Sequence, residues 1–378
     1  MSIDSVLKKE GIEDIKPLDT FTINRIARNI ANKLSTTFNE HNLDESDLFV
    51  SISRLEMYFA KMPNDLAGAK YFYRNNAIYF NDQFTLDELE ESAIHECIHY
   101  LQEVKNDNGE LLRMGLYDFK DGKKGLAINE AAVQLMAAEA CGKEEDKVKY
   151  YDLFLSTKSP DYYPLECVLL NEMAYFTGNY PLYHSTLHGD NVFKNTFASK
   201  FGLKTYENIE KDIENILNLE ERLNNESIKL QYINNEKKVA QTNKTIEEYK
   251  DKIAKAFIKT QDYIMETCFN KNFDEIRTLE DLNYFKEKLY HFKDIIGYSV
   301  EYRNYNNFYV QKMSEFEMKK QQIENNDFET TPVANIGREL VKVNEKRYSF
   351  FKRLLMKLGI ISDINKDNKW VTNKENDE

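Results

Sequence analysis

Hydrophobic positions recur along the chain with two different periods. Ile23, Ile26, Ile30, Leu34 and Phe38 lie three or four apart, which predicts an amphipathic helix from Ile23 to Phe38. Leu48 to Phe59 mixes β-branched, aromatic and polar residues, Phe49, Val50 and Ile52 among them, and reads as a strand. From Tyr71 to Phe80, two short apolar runs flank Asn75-Asn76. Asn tolerates the left-handed backbone of a tight turn, so this pattern predicts a hairpin. Thr85 and Glu88 then match a capping box, and Leu86, Leu89, Ala93, Cys97, Leu101 and Val104 follow on one face, predicting a helix over 86–104. Asn106-Asp107-Asn108-Gly109 stops it. A helix rich in Ala, Leu and Met spans Leu126 to Ala140, with Cys141-Gly142 as its C-cap. Another is expected around Val168–Phe176, before a Gly-, Pro- and His-bearing segment from Thr177 to Asp190.

After about residue 203, Gly and Pro nearly vanish. Ile209, Ile213, Ile216, Leu219 and Leu223 recur at helical spacing, as do Ile246, Tyr249, Ile253 and Phe257. This predicts long antiparallel helices, in part coiled coil. The chain therefore divides into a polar leader (1–20), a compact domain (21–202), a long-helix extension (203–330) and a C-terminal part (331–378). That last part holds a short basic helix, Lys346–Leu358, and a disordered tail from Lys366. The expected class is α+β, mainly α: a short sheet with two central helices, then a helical extension.

Composition removes several functions. With 378 residues and a net charge of −13, the chain lacks the basic footprint of a nucleic-acid binder. No apolar stretch reaches the length of a membrane span, and the first ten residues carry no secretory pattern, so a cytoplasmic location is expected. Cys97, Cys141, Cys167 and Cys268 are scattered and form no CxxC pair, so they are expected as reduced thiols rather than a metal cluster.

The candidate chemistry lies in His95-Glu96-Cys97-Ile98-His99. Residues four apart share a helix face, so both imidazoles can reach one ion, while Glu96 is one step round and can reach a water beside it. On a wheel of about 100° per residue starting at Leu86, the apolar side is centred near about 20°, His95 falls at about 180° and His99 at about 220°. The histidines thus point away from the apolar face, towards a cleft or solvent. A catalytic ion needs a third protein ligand and an open position. Glu130 is the best candidate, because its helix is apolar nearly all round and a carboxylate there is costly unless paired or metal-bound. Its alternative is an ordinary glutamate near a helix start.

On these residues the chain resembles the gluzincin branch of zincin metallopeptidases, in which HExxH on one helix is completed by a Glu on a following helix. The resemblance covers roughly residues 45–140. It implies zinc held by His95, His99 and Glu130, with Glu96 as general base acting on a peptide or protein substrate. It also implies an edge strand, from the 71–80 hairpin, that aligns substrate. Asn129 and Gln134 are candidates to orient ligands. For the donor that stabilises the oxyanion, Tyr180, Tyr183, His184 and His188 are available, with Tyr183 and His184 taken as the catalytic candidates; packing residues or a second metal pair are the alternatives. The chain has no third histidine of the metzincin type. The competing expectation is an inactive or structural-zinc core that works as a helical interaction module, its C-terminal helices offering a surface to a protein partner.

Overall fold

The computed structural model describes residues 3–63, 68–120, 124–296 and 303–325. Its elements run α1 (Ile3–Lys9), β1 (Glu13–Pro17), α2 (Thr20–Thr37), a 3-10 turn (Asn39–His41), α3 (Glu45–Ile52), β2 (Glu56–Lys61), β3 (Ala69–Phe72), β4 (Ala77–Asn81) and α4 (Glu90–Leu101). There follow β5 (Glu103–Lys105), β6 (Leu111–Met114), β7 (Tyr117–Asp118), α5 (Leu126–Ala140), β8 (Asp146–Tyr150), β9 (Leu153–Thr157), α6 (Pro164–Thr177), α7 (Asn179–His188) and α8 (Val192–Phe201). The long helices are α9 (Leu203–Gln231), α10 (Glu236–Glu275), α11 (Leu279–Ile295) and α12 (Arg303–Glu324). The class is mixed α+β, mainly α, with small sheets.

The main sheet has the order β1-β2-β4-β3, with β2 parallel to β4 and both outer pairs antiparallel. The expected hairpin is β3–β4: Tyr71 pairs with Ile78, and Asn76 takes the left-handed conformation, φ 49°, that its side chain tolerates. The residues read as a polar leader instead form α1 and the outer strand β1. Leu7 and Ile12 join Ala60, Met62 and Tyr79 in a buried cluster, which explains why this segment is ordered.

Other expectations shift. Leu48–Ile52 is helical, not extended: Asp44 caps α3 by accepting the Asp47 N–H at 2.9 Å, and Leu48 and Ile52, four apart, are both buried. The strand begins only at Glu56. The Thr85–Glu88 box forms, with Glu88 accepting the Thr85 N–H at 2.8 Å, but it caps a turn that precedes α4. The helix ends at Leu101, Val104 pairs with Arg113 in a second sheet, and Asn106–Gly109 makes the β5–β6 turn. The Thr177–Asp190 segment contains α7, with Pro181 in its first turn, where a missing N–H costs nothing, and Gly189 as a left-handed C-cap, φ 58°.

α5 is the centre of the molecule's first compact unit. It packs on α2, α4, α6, α7 and α9. Every α5 residue is buried except Leu126, Glu130 and Glu139. Gly125 precedes it with φ 86°, and a Cβ there would lie 2.6 Å from the Leu116 carbonyl oxygen, so only glycine fits. The free N–H of Ala127 is satisfied by Glu214 of α9 at 3.1 Å. The helical extension is thus not separate from residue 203: α9 packs on α5, α6 and α8. The described residues divide into one unit made of those up to 271 with 288–311, and another made of 272–287 with 312–325. The second is centred on Phe273, which meets Phe285 edge-on at 5.1 Å and carries the Lys312 ammonium 4.8 Å from its ring centre. The expected basic helix and tail lie outside the described residues.

Candidate metal centre

α4 is covered on both faces. Ala93, Ile94, Cys97 and Ile98 are buried on the sheet side and neighbouring faces, while His95 and His99 are buried towards α5, each 7% exposed. The wheel therefore places the histidines correctly away from the apolar stripe, and what they face is a cleft rather than solvent.

In that cleft His95 Nε2 and His99 Nε2 lie 3.0 Å apart, and Glu130 Oε2 is 3.4 Å from each. The three atoms belong to one group able to hold a metal ion. For tetrahedral coordination at about 2.05 Å, neighbouring ligand atoms are separated by about 3.3 Å, so these spacings fit a single four-coordinate ion with one position left open.

The chain around His95 fixes which nitrogen faces the cleft. Gln134 donates from Nε2 to Glu91 at 2.6 Å, so its Oε1 is left to accept from His95 Nδ1 at 2.8 Å. His95 is then protonated on Nδ1, and its Nε2 lone pair points at the cluster. Lys143 neutralises Glu91 at 3.2 Å and completes this relay. His99 also turns Nε2 inward, with its Nδ1 buried and unpartnered. The close approach of two imidazole nitrogens at 3.0 Å with a carboxylate beside them is satisfied by positive charge among them, either a proton on His99 shared with His95 Nε2 and Glu130 or a bound cation. The donor set, two imidazoles and one carboxylate, suits a first-row divalent metal ion.

The chain matches no protein-family model, no curated protein and no solved structure.

Glu96 projects from the same helix, one residue after His95. Its Oε2 accepts the Tyr71 N–H at 2.7 Å. Asn81 donates to Gly68 across the β3–β4 pair, so with a period of two the N–H of Tyr71 points outward from the sheet edge, where Glu96 meets it. Burial pushes the Glu96 carboxyl above its usual range, opposed by the two histidines.

The expected polar donors from α7 are engaged elsewhere. Tyr183 donates to Glu139 at 2.8 Å and packs edge-on to Phe38, while His184 pairs with Asp190 at 3.2 Å. The hydroxyl the sequence reading missed is that of Tyr163. Its ring stacks on His95 with centroids 6.3 Å apart, and the Glu130 charge near its phenol, with burial, lifts the phenol well above its ordinary range. Tyr163 has φ 51°, a strained conformation for a non-glycine residue, and precedes Pro164 at the start of α6. No periodicity marks such a position; an aromatic residue directly before a helix-starting proline was the available signal. Of the two proposed orienting residues, Gln134 touches His95. Asn129 instead accepts from Leu116 N at 2.9 Å and from Gln102 at 3.2 Å, bracing the loop behind the cleft.

Proposed function

We propose that this protein is a zinc-dependent peptide hydrolase of gluzincin type, with His95, His99 and Glu130 as ligands and Glu96 as general base. The observation carrying this reading is the triad's spacing, 3.0 to 3.4 Å between inward-facing donor atoms, with a carboxylate on the same helix next to the first ligand. When bound, zinc supplies an acidified water and a polarised substrate carbonyl. Glu96 takes the proton of the attacking water and returns it to the departing amine. The Tyr163 phenol, beside Glu130, is placed to donate to the oxygen that becomes negative. The outward edge of β3 gives an extended substrate a backbone to pair with, and substrate entry there would exchange the Tyr71–Glu96 hydrogen bond for one to the incoming chain.

That same hydrogen bond favours a second reading, in which the ion is structural and the core serves protein interaction. One experiment separates the two. Purified protein is incubated with a peptide mixture, with and without a zinc chelator, beside Glu96→Gln. The hydrolase reading expects cleavage that the chelator stops and zinc restores, and a loss of about 10²–10⁴-fold in Glu96→Gln with zinc still bound. Bound zinc with no cleavage of any peptide would leave the structural reading standing and refute the hydrolase.

A further inference from the structure

Tyr71 of β3 is gripped at both ends by the stretch of chain that carries the triad's histidines. Its N–H donates to Glu96 on α4, and its hydroxyl donates to Glu103 Oε1 at 2.9 Å, two residues after α4 ends. Between these points its ring lies edge-on to Tyr100 of α4, with centroids 6.0 Å apart. A longer contact, 3.3 Å, joins the hydroxyl to Asn76 Oδ1 in the β3–β4 turn. Lys70, the preceding residue, points to the other face of the strand and pairs with Glu10, just beyond α1.

Glu103 is the member of this group that the hydrolysis does not otherwise use. Its side chain is 5% exposed, and a carboxylate at that depth is costly unless both oxygens are engaged. Oε1 accepts the Tyr71 hydroxyl, and Oε2 meets the Lys105 ammonium at 2.6 Å. Lys105 also reaches Asn76 Oδ1 at 3.5 Å, so the carboxylate is linked to both the ring and the turn of one hairpin. Burial, and after it the Glu103 charge, push the Tyr71 phenol far above its ordinary range, so the hydroxyl remains a donor. A hydrogen bond to a charged acceptor is among the stronger kinds, and this one ties β3 to the end of α4. β3 is the outer strand of the main sheet, held by a ladder of hydrogen bonds on one side only, so its free side depends on such a tie.

We propose that Glu103, acting through Tyr71, is a positioning residue: it sets where the β3 edge lies over α4, and with it the register of an extended peptide against Glu96 and the triad. This role rests on the hydrolase reading of the site. The N–H bonded to Glu96 and the hydroxyl bonded to Glu103 belong to one residue, so releasing the hydroxyl loosens the strand where base and edge meet. A misplacement of about 1 Å at reacting atoms costs about 10²-fold in rate.

The test uses full-length, zinc-loaded Tyr71→Phe, Glu103→Leu and Glu103→Gln beside wild type, on a peptide that wild type cleaves. Zinc content and Tm are measured for each, and hydrogen–deuterium exchange is followed at the residue 71 amide. Tyr71→Phe removes a single oxygen and keeps the ring, so it disturbs folding least. Tyr71→Phe and Glu103→Leu should each lower kcat about 10–100-fold, with KM and zinc content little changed. The double variant should lose no more than the worse single one, since both changes break the same bond. Glu103→Gln keeps an oxygen that accepts the hydroxyl and should retain most of the activity. The residue 71 amide should exchange faster in the first two variants than in wild type or Glu103→Gln. Wild-type kcat in Tyr71→Phe, a loss that Glu103→Gln shares in full, or losses that multiply in the double variant would overturn the proposal and leave the hydrolase reading standing. No cleavage by wild type removes the hydrolase reading and this role with it, and unchanged exchange in Tyr71→Phe would show that Glu103 does not hold the strand either.

Discussion

Glu166 of α6 and Glu220 of α9 bring two carboxyl groups together inside the first compact unit. Glu166 is fully buried, and neither of its oxygens, nor Oε1 of Glu220, has a donor from a neighbouring amide or hydroxyl. The two carboxyls interact directly, and a proton held between them would supply the missing donor. Burial pushes both groups up, Glu220 to about 10 with the Glu166 charge adding to the effect. A carboxyl whose folded pKa lies above its unfolded value of about 4.3 stabilises fully below that value, and its contribution is lost as pH rises towards the folded pKa. The loss is at most about 1.4 kcal/mol per pH unit for one held proton. Glu220→Gln supplies a permanent N–H donor to Glu166 and needs no proton. We expect the variant's advantage over wild type to grow by roughly 1 kcal/mol per pH unit between pH 5 and pH 7. Urea unfolding followed by far-UV circular dichroism at pH 5, 6, 7 and 8 measures this directly. A difference that does not change with pH, or a variant less stable than wild type at pH 8, refutes the shared proton.

Three further outcomes follow from the site. Gln134→Leu removes the acceptor from His95 Nδ1 and should weaken zinc binding about 10–100-fold in competition with a chromophoric chelator; unchanged affinity would show that the Glu91–Gln134 relay does not set the tautomer. Tyr163→Phe should lower kcat about 10²–10³-fold with little change in KM or zinc content, whereas a change confined to KM would assign the phenol to substrate binding. Gly115→Ala forces a Cβ to within 2.4 Å of both Asn129 Oδ1 and Gln102 Nε2 at φ 53°. The backbone cost and the broken buried hydrogen bond together predict a loss of about 2–4 kcal/mol, and a Tm within a degree of wild type would contradict it.

The triad was legible because its determinants are local and periodic. Spacing of four residues puts His95 and His99 on one face, and a glutamate within a helix as apolar as α5 has to be paired or exposed. The hairpin was marked by Asn75-Asn76, and α9 by its isoleucine spacing. What escaped the sequence reading depends on contacts or on single backbone angles. Phe49, Val50 and Ile52 suggested a strand by residue type, yet the Asp44 cap and the Leu48–Ile52 spacing decided for helix. The first twenty residues looked polar because β1 is wholly exposed and the segment is anchored by a few apolar residues, Leu7 and Ile12 with Ile3 and Val6 beside them. α7 hid behind its glycines and proline, although Pro181 in a first turn and Gly189 after a last one are helix boundary signals. Tyr163 reaches the site through one left-handed residue, which residue spacing does not encode.

The bond from Glu214 to the first turn of α5 spans 87 residues of sequence. It makes the long helix a retainer for the helix that carries Glu130, clamping its leading end from outside the segment holding the HExxH residues. A fragment cut at residue 202 would contain every ligand of the triad and still lack the carboxylate that seats one of them. During synthesis, too, this carboxylate comes late: the glutamate that caps α5 appears only after the main sheet and the first eight helices have been made.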